Sequence, residues 1–270
     1  MTATTLNALV QNARQLRAQQ QNNHLPRVAI FGSSFNPTTL GHVDFIRLLL
    51  RQSRDEFASV CVIPSGQSPL KSRSDYASVI DRLQILDLVL QSQFTPQERE
   101  RVRVETLEVE RQAPSWMVMT LAALIVKYQA QESYILACGY DHLFLMQQWY
   151  HWQDFSGLCE LCFYPRAGIE IVNDAAVNAC MVLCQAGIDV TLVFSEAAQK
   201  QTFEGLYRAS MPEQSLPLTL FCEPNAKIRA TSATDIRSFY QGSKCQDSSP
   251  PIGLSPEAHR YILAHHCYGI

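Results

Sequence analysis

The stretch Arg27-Val-Ala-Ile-Phe-Gly-Ser-Ser-Phe-Asn-Pro-Thr-Thr-Leu-Gly-His42 decides the fold. Residues 27–31 form a short, mainly apolar run that is followed by a cluster of Gly, Ser, Asn and Pro, so they predict a buried strand that ends in a loop. Apolar residues then recur at helical spacing from Val43 to Leu50, which predicts a helix that begins near Leu40. A strand, a loop and a helix in this order are typical of a βαβ unit.

The same alternation continues along the first 164 residues. It predicts strands over residues 58–63, 102–107, 134–138 and 158–164, and helices over residues 79–90, 116–128 and 142–155. Strands that alternate with helices of this length imply parallel pairing and right-handed crossovers. The predicted fold class is therefore α/β, a Rossmann-like parallel sheet with helices on both faces.

The rest of the chain follows the pattern less regularly. We predict strands over residues 189–194 and 218–222, and helices over residues 174–185, 196–207 and 256–266. The segment 241–251 is a polar linker rich in Gly, Ser and Pro. This organisation suggests four parts: an N-terminal helical extension (1–26), a Rossmann-like core (27–168), an enlarged α/β segment that completes the sheet (169–224), and C-terminal helices (225–270).

Composition excludes several classes of protein. In a chain of 270 residues, an apolar fraction of 47% excludes disorder as the main state. The 22 Lys and Arg residues against 25 Asp and Glu residues leave a net charge of −3, which lacks the basic excess of a nucleic-acid-binding protein. No stretch approaches the roughly 18–20 apolar residues that span a bilayer. We therefore expect neither a nucleic-acid partner nor a membrane, whereas a small polyanion needs only a few local cations.

Cysteines and the N-terminus bear on the compartment. The nine cysteines are scattered through apolar runs, which is typical of a reducing environment and predicts a cytoplasmic protein. Cys159 and Cys162 lie three apart on a predicted strand and so face opposite sides, which favours packing over metal binding. Leu6, Val10 and Ala13 share one helical face in a stretch without acidic residues, which favours a docked helix over a transit peptide.

The loop after the first strand predicts an anion site. Neither GxxxxGK[ST] nor, after the first strand, GxGxxG is present. Instead, Gly32 lets the backbone approach a ligand, and either Thr38 or Thr39 is a natural N-cap for the helix that follows. We expect free amides and the positive end of the helix dipole to attract an anion, with the imidazole of His42 over the same spot.

These residues resemble a known signature. The loop is similar to the motif Gly-Ser-Phe-Asn/Asp-Pro-x-[His/Thr]-x-Gly-His of the nucleotidylyltransferase superfamily, whose members transfer a nucleotide and release pyrophosphate. The distant stretch Thr231-Ser-Ala-Thr-Asp-Ile-Arg237 resembles the second phosphate motif of that superfamily, Ile-Ser-x-Thr-x-Ile-Arg. Both motifs together imply the nucleotidylyltransferase fold.

Further stretches resemble the nicotinate/nicotinamide mononucleotide adenylyltransferases in order and near-spacing. They are Pro69-Leu-Lys71, residues 113–121, Gly139-Tyr-Asp-His-Leu143, Trp149-Tyr150 and Pro165-Arg-Ala-Gly168. The resemblance covers about residues 27–168 and 225–270. It implies transfer of an adenylyl group from ATP to nicotinate or nicotinamide mononucleotide, which gives deamido-NAD or NAD plus pyrophosphate, with Mg²⁺ bound with ATP.

The resemblance also implies roles for individual residues. Those implied as catalytic are His42, Thr39 and Arg237. Those implied to bind ATP are Gly32, Ser33, Ser34, Phe35, Gly41, His42, Gly139, Asp141, Ser232, Thr234 and Arg237. Those implied to bind the mononucleotide are Asn36, Lys71, Trp116, Trp149, Tyr150 and Arg166. No residue is implied to bind a metal directly.

Each of these residues also has a structural interpretation. His42 and Ser232 could simply cap helices, Arg237 could be a solvated cation, and the aromatic residues at 149 and 150 could be core. Thr39 stands where many bacterial members have His, and Met117 stands where they have Thr. Two alternatives stay open: a different phosphate acceptor, such as phosphopantetheine, and a non-catalytic nucleotide-binding homologue. The sequence is also compatible with a homo-oligomer.

Overall fold

A parallel β-sheet organises the chain. A computed structural model describes residues 3–20, 24–52, 57–66, 76–111, 116–139, 142, 145, 148–155, 157–164, 189–194, 217–222, 228–242 and 249–269. Its first five strands are β1 (Arg27–Ser33), β2 (Ser59–Pro64), β3 (Val102–Val104), β4 (Ser133–Gly139) and β5 (Glu160–Tyr164). They form one sheet in the order β3-β2-β1-β4-β5. The β1/β4, β2/β3 and β4/β5 pairs are parallel, which confirms the predicted α/β fold class.

The strand order reverses at β1. The chain runs outward from β1 to β2 and β3, and then returns to β4 on the other side of β1. In open α/β sheets, ligands bind beyond the carboxyl ends of the strands at such a reversal. Residues 34–39 leave the carboxyl end of β1, so topology alone directs attention to this loop.

The chain divides into two compact units, and the boundary falls within β1. One unit comprises Met1–Ile30 and Trp116–Ala226, and the other comprises Phe31–Ser115 and Lys227–Ile270. We call them the N-terminal-helix unit and the motif unit. The four-part division of the chain expected from the sequence stays a prediction.

In the N-terminal-helix unit, α1 (Ala3–Ala18) packs against α5 (Met117–Lys127). The predicted apolar face of α1, which carries Leu6, Val10 and Ala13, is buried. Arg14 forms an ion pair of 3.2 Å with Asp154, and so ties the helix to the turn that precedes β5. The first helix is therefore docked, as the favoured interpretation of its sequence predicted.

Two further strands belong to the N-terminal-helix unit. These are β6 (Asp189–Phe194) and β7 (Pro217–Cys222), which the structure describes by their backbones alone. They pair in parallel with each other, and β7 lies beside β5. The strands predicted over residues 189–194 and 218–222 are thus confirmed, whereas the helices predicted over residues 174–185 and 196–207 lie outside the described residues.

The motif unit contains the remaining helices. They are α2 (Leu40–Gln52), α3 (Val79–Gln93), the single turn α4 (Pro96–Arg99), α6 (Ala233–Gln241) and α7 (Pro256–Ala264). Helix α3 packs against α7, and a short turn at Cys267–Gly269 closes the chain against α6 and α7. Within the described residues, no helix is both long and apolar enough to cross a membrane.

Two predicted elements differ from the structure. The continuous helix predicted over residues 142–155 is wrong: where this stretch is described it consists of turns and short 3₁₀ segments, at His142, at Gln148 and at Trp152–Phe155. His151 has φ 51°, a left-handed conformation that no regular helix accommodates. The strand predicted over residues 102–107 ends already at Val104.

The cysteine prediction agrees with the structure. Neither Cys159 nor Cys162 forms a disulfide, and Cys162 is fully buried. Burial raises the pKa of the Cys159 thiol to about 12, although the nearby Arg17 acts in the opposite direction. A thiol with so high a pKa stays protonated at neutral pH, which suits packing rather than metal or redox chemistry.

Candidate active site

The rings of Phe31 and Phe35 pack near the imidazole of His42. Phe35 is fully buried, and its ring centroid lies 4.9 Å from that of His42 and 5.5 Å from that of Phe31. Phe35 was predicted to bind ATP, but its side chain is used to support the imidazole from below. Any contact of Phe35 with a ligand therefore falls to its backbone.

Thr39 and His42 form a reciprocal cap at the start of α2. The amide of His42 donates to Thr39 Oγ1 at 3.4 Å, and the amide of Thr39 donates to His42 Nδ1 at 2.9 Å. This is the geometry of a capping box in which His replaces the usual Glu or Gln at the third helical position. Of the two threonines expected as N-cap, the structure selects Thr39.

The cap also fixes where the imidazole carries its proton. A backbone amide can only donate, so His42 Nδ1 accepts and the ring proton resides on Nε2. Nε2 lies 3.0 Å from Ser33 Oγ, at the end of β1. The Nε2–H of His42 therefore donates to the Ser33 hydroxyl at the carboxyl end of β1, and a ligand that binds this N–H must replace that hydroxyl.

The expectation of free amides at the start of α2 is wrong. The amide of Leu40 donates to the carbonyl of Gly253 at 2.8 Å, and the amide of Gly41 donates to Thr231 Oγ1 at 3.1 Å. The amide of His42 donates to Thr39. Because protein acceptors satisfy these three donors, they do not wait for an anion, and side chains must supply the donors instead.

The second motif meets the first within the motif unit. Thr231 Oγ1 donates to Thr39 Oγ1 at 3.1 Å, and Arg237 donates to the carbonyl of Asn36 at 2.8 Å. Ser232 is the N-cap of α6, and its hydroxyl accepts from the amides of Thr234 and Asp235. Two segments that are about 190–200 positions apart in sequence thus adjoin at residues 36–39.

Two guanidinium groups hold the backbone of the loop. Arg237 binds the carbonyl of Asn36 and the hydroxyl of Thr234, and Arg82 binds the carbonyls of Ser34 and Ser65 at 2.7 and 2.8 Å. Arg82 is only 3% exposed, and burial lowers the pKa of its guanidinium. Among the described residues, neither arginine pairs with a carboxylate, so both positive charges are available to an anion.

Asn36 is placed differently from its prediction. It was predicted to bind the mononucleotide, but it is 2% exposed and its side-chain oxygen accepts from the amide of Ala77 at 3.1 Å. Its carbonyl meanwhile accepts from Arg237. In this structure Asn36 joins the loop to the start of the α3 region.

An ion pair anchors the segment that precedes the second motif. Asp44 accepts two hydrogen bonds of 2.6 Å from the Arg229 guanidinium and one of 3.0 Å from the Arg229 amide. Burial raises the pKa of the Asp44 carboxyl, but the bonds and charge of Arg229 outweigh burial and hold the pKa below its ordinary value. The pair holds residues 229–231 against α2.

The aromatic residues predicted to bind the mononucleotide lie in the N-terminal-helix unit. Trp116 and Tyr150 stack with ring centroids 4.8 Å apart and an interplanar angle of 23°. Trp149 instead packs against His142 and Phe155, with centroids 5.9 and 5.3 Å away. Tyr150 is exposed, and Trp149 is half-buried. The structure therefore groups these rings as two neighbouring clusters.

Five predicted residues remain. Gly32 lies near the carboxyl end of β1, and Gly139 is the last residue of β4. Lys71, Asp141 and Arg166 lie outside the described residues. The described residues hold no group of three His, Cys, Asp or Glu side chains that could bind a metal ion.

Comparison with known proteins identifies the family. The model of the cytidylyltransferase-like family matches residues 30–239, which is most of the chain and includes both motifs. The chain belongs to the cytidylyltransferase-like family. Its family and its named relatives are nucleotidyltransferases, which confirms the enzyme class expected from the sequence.

Relatives of similar length carry a more specific name. A protein of Pectobacterium atrosepticum, named probable nicotinate-nucleotide adenylyltransferase, is 27% identical over 246 residues, which cover 89% of this chain and 97% of the relative. A protein of Herminiimonas arsenicoxydans with the same name is 28% identical over 247 residues, which cover 89% of this chain and 96% of the relative. These matches support the resemblance to mononucleotide adenylyltransferases.

Solved structures support the fold. The nicotinic acid mononucleotide adenylyltransferase of Plasmodium falciparum has a TM-score of 0.60 in its complex with APC and 0.59 in its complex with NaAD. The match covers 90% of this chain and 97% of the other, at 12 and 13% sequence identity. At this identity the likeness shows a shared fold.

Sequence reasoning missed two residues of this cytidylyltransferase-like site. Arg82 lies on α3, outside both motifs, and a lone Arg in a helix gives no signal of its own. Thr231 stands where the second motif has Ile, so its hydroxyl is absent from the pattern. Spacing could not have revealed either residue, because each is recognised only by its tertiary hydrogen bonds.

The Asp44–Arg229 pair predicts a pH dependence of stability. Because the pKa of Asp44 is lower in the folded than in the unfolded chain, its contribution is complete above the ordinary value of 3.8 and is lost as the pH falls through the folded value. Asp44→Asn should therefore lower the free energy of unfolding at pH 7, and this difference from the wild type should shrink below about pH 4. Urea unfolding at several pH values measures it.

The matched control is Asp87→Asn, which alters an exposed aspartate on α3. We expect it to change the free energy of unfolding by less than about 0.5 kcal/mol at pH 7. A difference between Asp44→Asn and wild type that stays constant from pH 7 to pH 3 would contradict the role given to the ion pair.

Proposed function

We propose that this chain is an adenylyltransferase that joins ATP and nicotinate mononucleotide, giving deamido-NAD and pyrophosphate. The observation that carries the proposal is the contact between the two phosphate motifs next to His42, through the Thr231–Thr39 and Arg237–Asn36 hydrogen bonds. Family membership and relatives named nicotinate-nucleotide adenylyltransferases support the choice of substrates.

The proposed reaction is an in-line substitution at phosphorus. A 5′-phosphate oxygen of the mononucleotide attacks the α-phosphorus of ATP, the new P–O bond forms, and the bond from the α-phosphorus to the bridging oxygen breaks. Pyrophosphate leaves with that electron pair. Because the nucleophile is already an anion, no general base is needed, and the protein acts by alignment and by stabilising negative charge.

The donors of the motif unit suit this task. In the proposed complex, an α-phosphate oxygen replaces Ser33 Oγ as the acceptor of the His42 Nε2–H. Thr39 holds that imidazole through the capping box. Ser232, Thr234 and Arg237, at the start of α6, bind the β- and γ-phosphates. The buried charge of Arg82 adds to the positive potential along the loop.

The donor set also fits Mg²⁺ that arrives with ATP. Around His42 the described side chains are hydroxyls, an imidazole and guanidiniums, and the Asp44 carboxylate is bound by Arg229. Mg²⁺ prefers oxygen ligands and retains several waters, so phosphate oxygens and water suffice to hold it. When bound, it neutralises part of the triphosphate charge.

We propose that the mononucleotide contacts aromatic rings of the N-terminal-helix unit. Trp149 and Tyr150 offer aromatic faces on which a pyridine ring can stack, a contact worth about 0.5–1.5 kcal/mol beyond area burial. Trp116 stacks on Tyr150 and thereby fixes the orientation of that ring.

The substrate assignment predicts the outcome of an acceptor comparison. Purified protein is incubated with ATP, Mg²⁺ and one of three acceptors: nicotinate mononucleotide, nicotinamide mononucleotide or phosphopantetheine. We expect pyrophosphate release with nicotinate mononucleotide at the highest kcat/KM. Release with phosphopantetheine alone would assign a different acceptor, and binding of ATP without release with any acceptor would make the chain a non-catalytic nucleotide-binding protein.

His42→Ala tests the phosphate contact. One preorganised donor at developing charge is typically worth about 10²-fold in turnover, so kcat should fall by at least roughly that factor. The matched control is His24→Ala, which removes an exposed histidine and should leave kcat unchanged. Circular dichroism checks that both variants fold, and near-normal turnover of His42→Ala would remove the imidazole from the mechanism.

Trp149→Ala tests the pyridine contact. If the indole stacks on the substrate ring, the KM for the mononucleotide should rise more than the KM for ATP, because only one substrate loses a partner. Trp152→Ala, which alters another half-buried tryptophan of the same turn, should leave the ratio of the two KM values unchanged. Equal increases in both KM values for Trp149→Ala would make Trp149 a packing residue.

A further inference from the structure

A directed chain of hydrogen bonds leads from the second motif to the imidazole. The amide of Gly41 donates to Thr231 Oγ1 at 3.1 Å, and Thr231 Oγ1 donates to Thr39 Oγ1 at 3.1 Å. Thr39 Oγ1 lies 2.9 Å from His42 Nδ1, and its own proton is directed there because its lone pairs already accept from Thr231 and from the His42 amide. Each hydroxyl therefore has one defined orientation.

We propose that Thr231 is a positioning residue for His42. Through the hydroxyl of Thr39, it holds the imidazole in the tautomer and orientation that present Nε2–H to the phosphate. The inference rests on the proposed function, since it assigns how His42 is prepared for that reaction. Thr231 itself need not touch either substrate, because it acts on the nitrogen of the ring that faces away from Ser33.

The surroundings of Thr231 are shaped to hold it there. A Cβ on Gly41 would lie 2.5 Å from Thr231 Oγ1, and a Cβ on Gly253 would lie 2.3 Å from the Thr231 methyl carbon. Such distances exclude any side chain at either position unless Thr231 moves. Two glycines therefore make room for one threonine, Gly41 beside its hydroxyl and Gly253 beside its methyl group.

The backbone of this segment is fixed as well. Arg229, two residues before Thr231, is bound by Asp44 of α2 through three hydrogen bonds. Because Gly41, His42 and Asp44 all belong to the start of α2, the segment is attached to the same helix turn that it orients. A flexible segment could not select one hydroxyl orientation. The Asp44–Arg229 pair is therefore needed to keep the hydrogen bonds from Thr231 through Thr39 to His42 in place.

Because the Thr39 side chain is buried, the orientation of its hydroxyl depends on Thr231. Thr39 is only 2% exposed, so water cannot readily replace Thr231 as the donor to its hydroxyl. If that donor is removed, the Thr39 hydroxyl gains freedom to turn away from Nδ1, and the imidazole loses one of the two donors that keep Nδ1 unprotonated. The Thr39 amide remains, so the effect should be partial rather than complete.

A double-mutant cycle tests whether Thr231 acts through Thr39. Thr231→Val, which keeps the shape and removes the hydroxyl, should lower kcat by about tenfold with a change of less than about twofold in the KM for ATP. In a Thr39→Val background, the same substitution should have little further effect, because its path to His42 is already broken. Additive losses in the double variant would overturn the proposal.

Conservative rescue provides the matched control. Thr231→Ser retains the hydroxyl and loses the methyl group that faces Gly253, so its kcat should stay within about twofold of wild type even if its melting temperature falls. Thr4→Val controls for the substitution itself, since Thr4 is exposed on α1. If Thr231→Ser loses as much kcat as Thr231→Val, packing rather than the hydroxyl is responsible.

The state of the ring can be read without any turnover. In ¹H–¹⁵N spectra of the imidazole nitrogens, with the His42 signals assigned by their loss in His42→Gln, wild type and Thr231→Ser should show only the Nε2–H tautomer. Thr231→Val should show a measurable Nδ1–H population. An unchanged tautomer in Thr231→Val would overturn the proposal even if the enzyme is active, and the shift would support it even if nicotinate mononucleotide proved to be the wrong acceptor.

Discussion

The reciprocal cap between Thr39 and His42 is the interaction on which the site depends. The same two hydrogen bonds that start α2 also orient the imidazole and place its proton on Nε2. Local structure and chemistry are therefore inseparable at this point: a change that frays the first turn of the helix also releases the donor. The rings of Phe31 and Phe35, which pack near the imidazole, add to this restraint.

The cap has an electrostatic consequence. A helix start that leaves its amides free is itself an anion site, but here the amides of Leu40, Gly41 and His42 are all satisfied by protein oxygens. The attraction for phosphate must then come from side chains. We propose that Arg82 and Arg237 supply it, because each is bound to neutral carbonyls rather than to carboxylates in the part of the chain that the structure describes. Burying such charges costs desolvation, which a bound polyanion offsets.

Much of this arrangement could be predicted from the sequence. Most of what could not be predicted depends on contacts between residues that are distant in sequence. Apolar periodicity located β1 and α2, and a capping pattern indicated the N-cap Ser232, because these depend on residues close in sequence. The residues that failed or were missed depend on distant partners. The side chain of Asn36 accepts from the amide of Ala77. The amides of Leu40 and Gly41, which were expected to be free, donate to Gly253 and Thr231. His151, in a left-handed conformation, ended a helix that local spacing had favoured.

The threonine at position 39 can be understood from the same interactions. Among the mononucleotide adenylyltransferases that the sequence resembles, many bacterial members have a histidine there. Thr39 therefore looks at first like the loss of a phosphate donor. Threonine, however, is a far better N-cap, and its hydroxyl can accept from a helix amide while donating to an imidazole. A neutral histidine at this position could not do the same, because its single acceptor nitrogen cannot accept from both Thr231 and the His42 amide, as the Thr39 hydroxyl does. The substitution thus exchanges a second imidazole for tighter control of the one that remains.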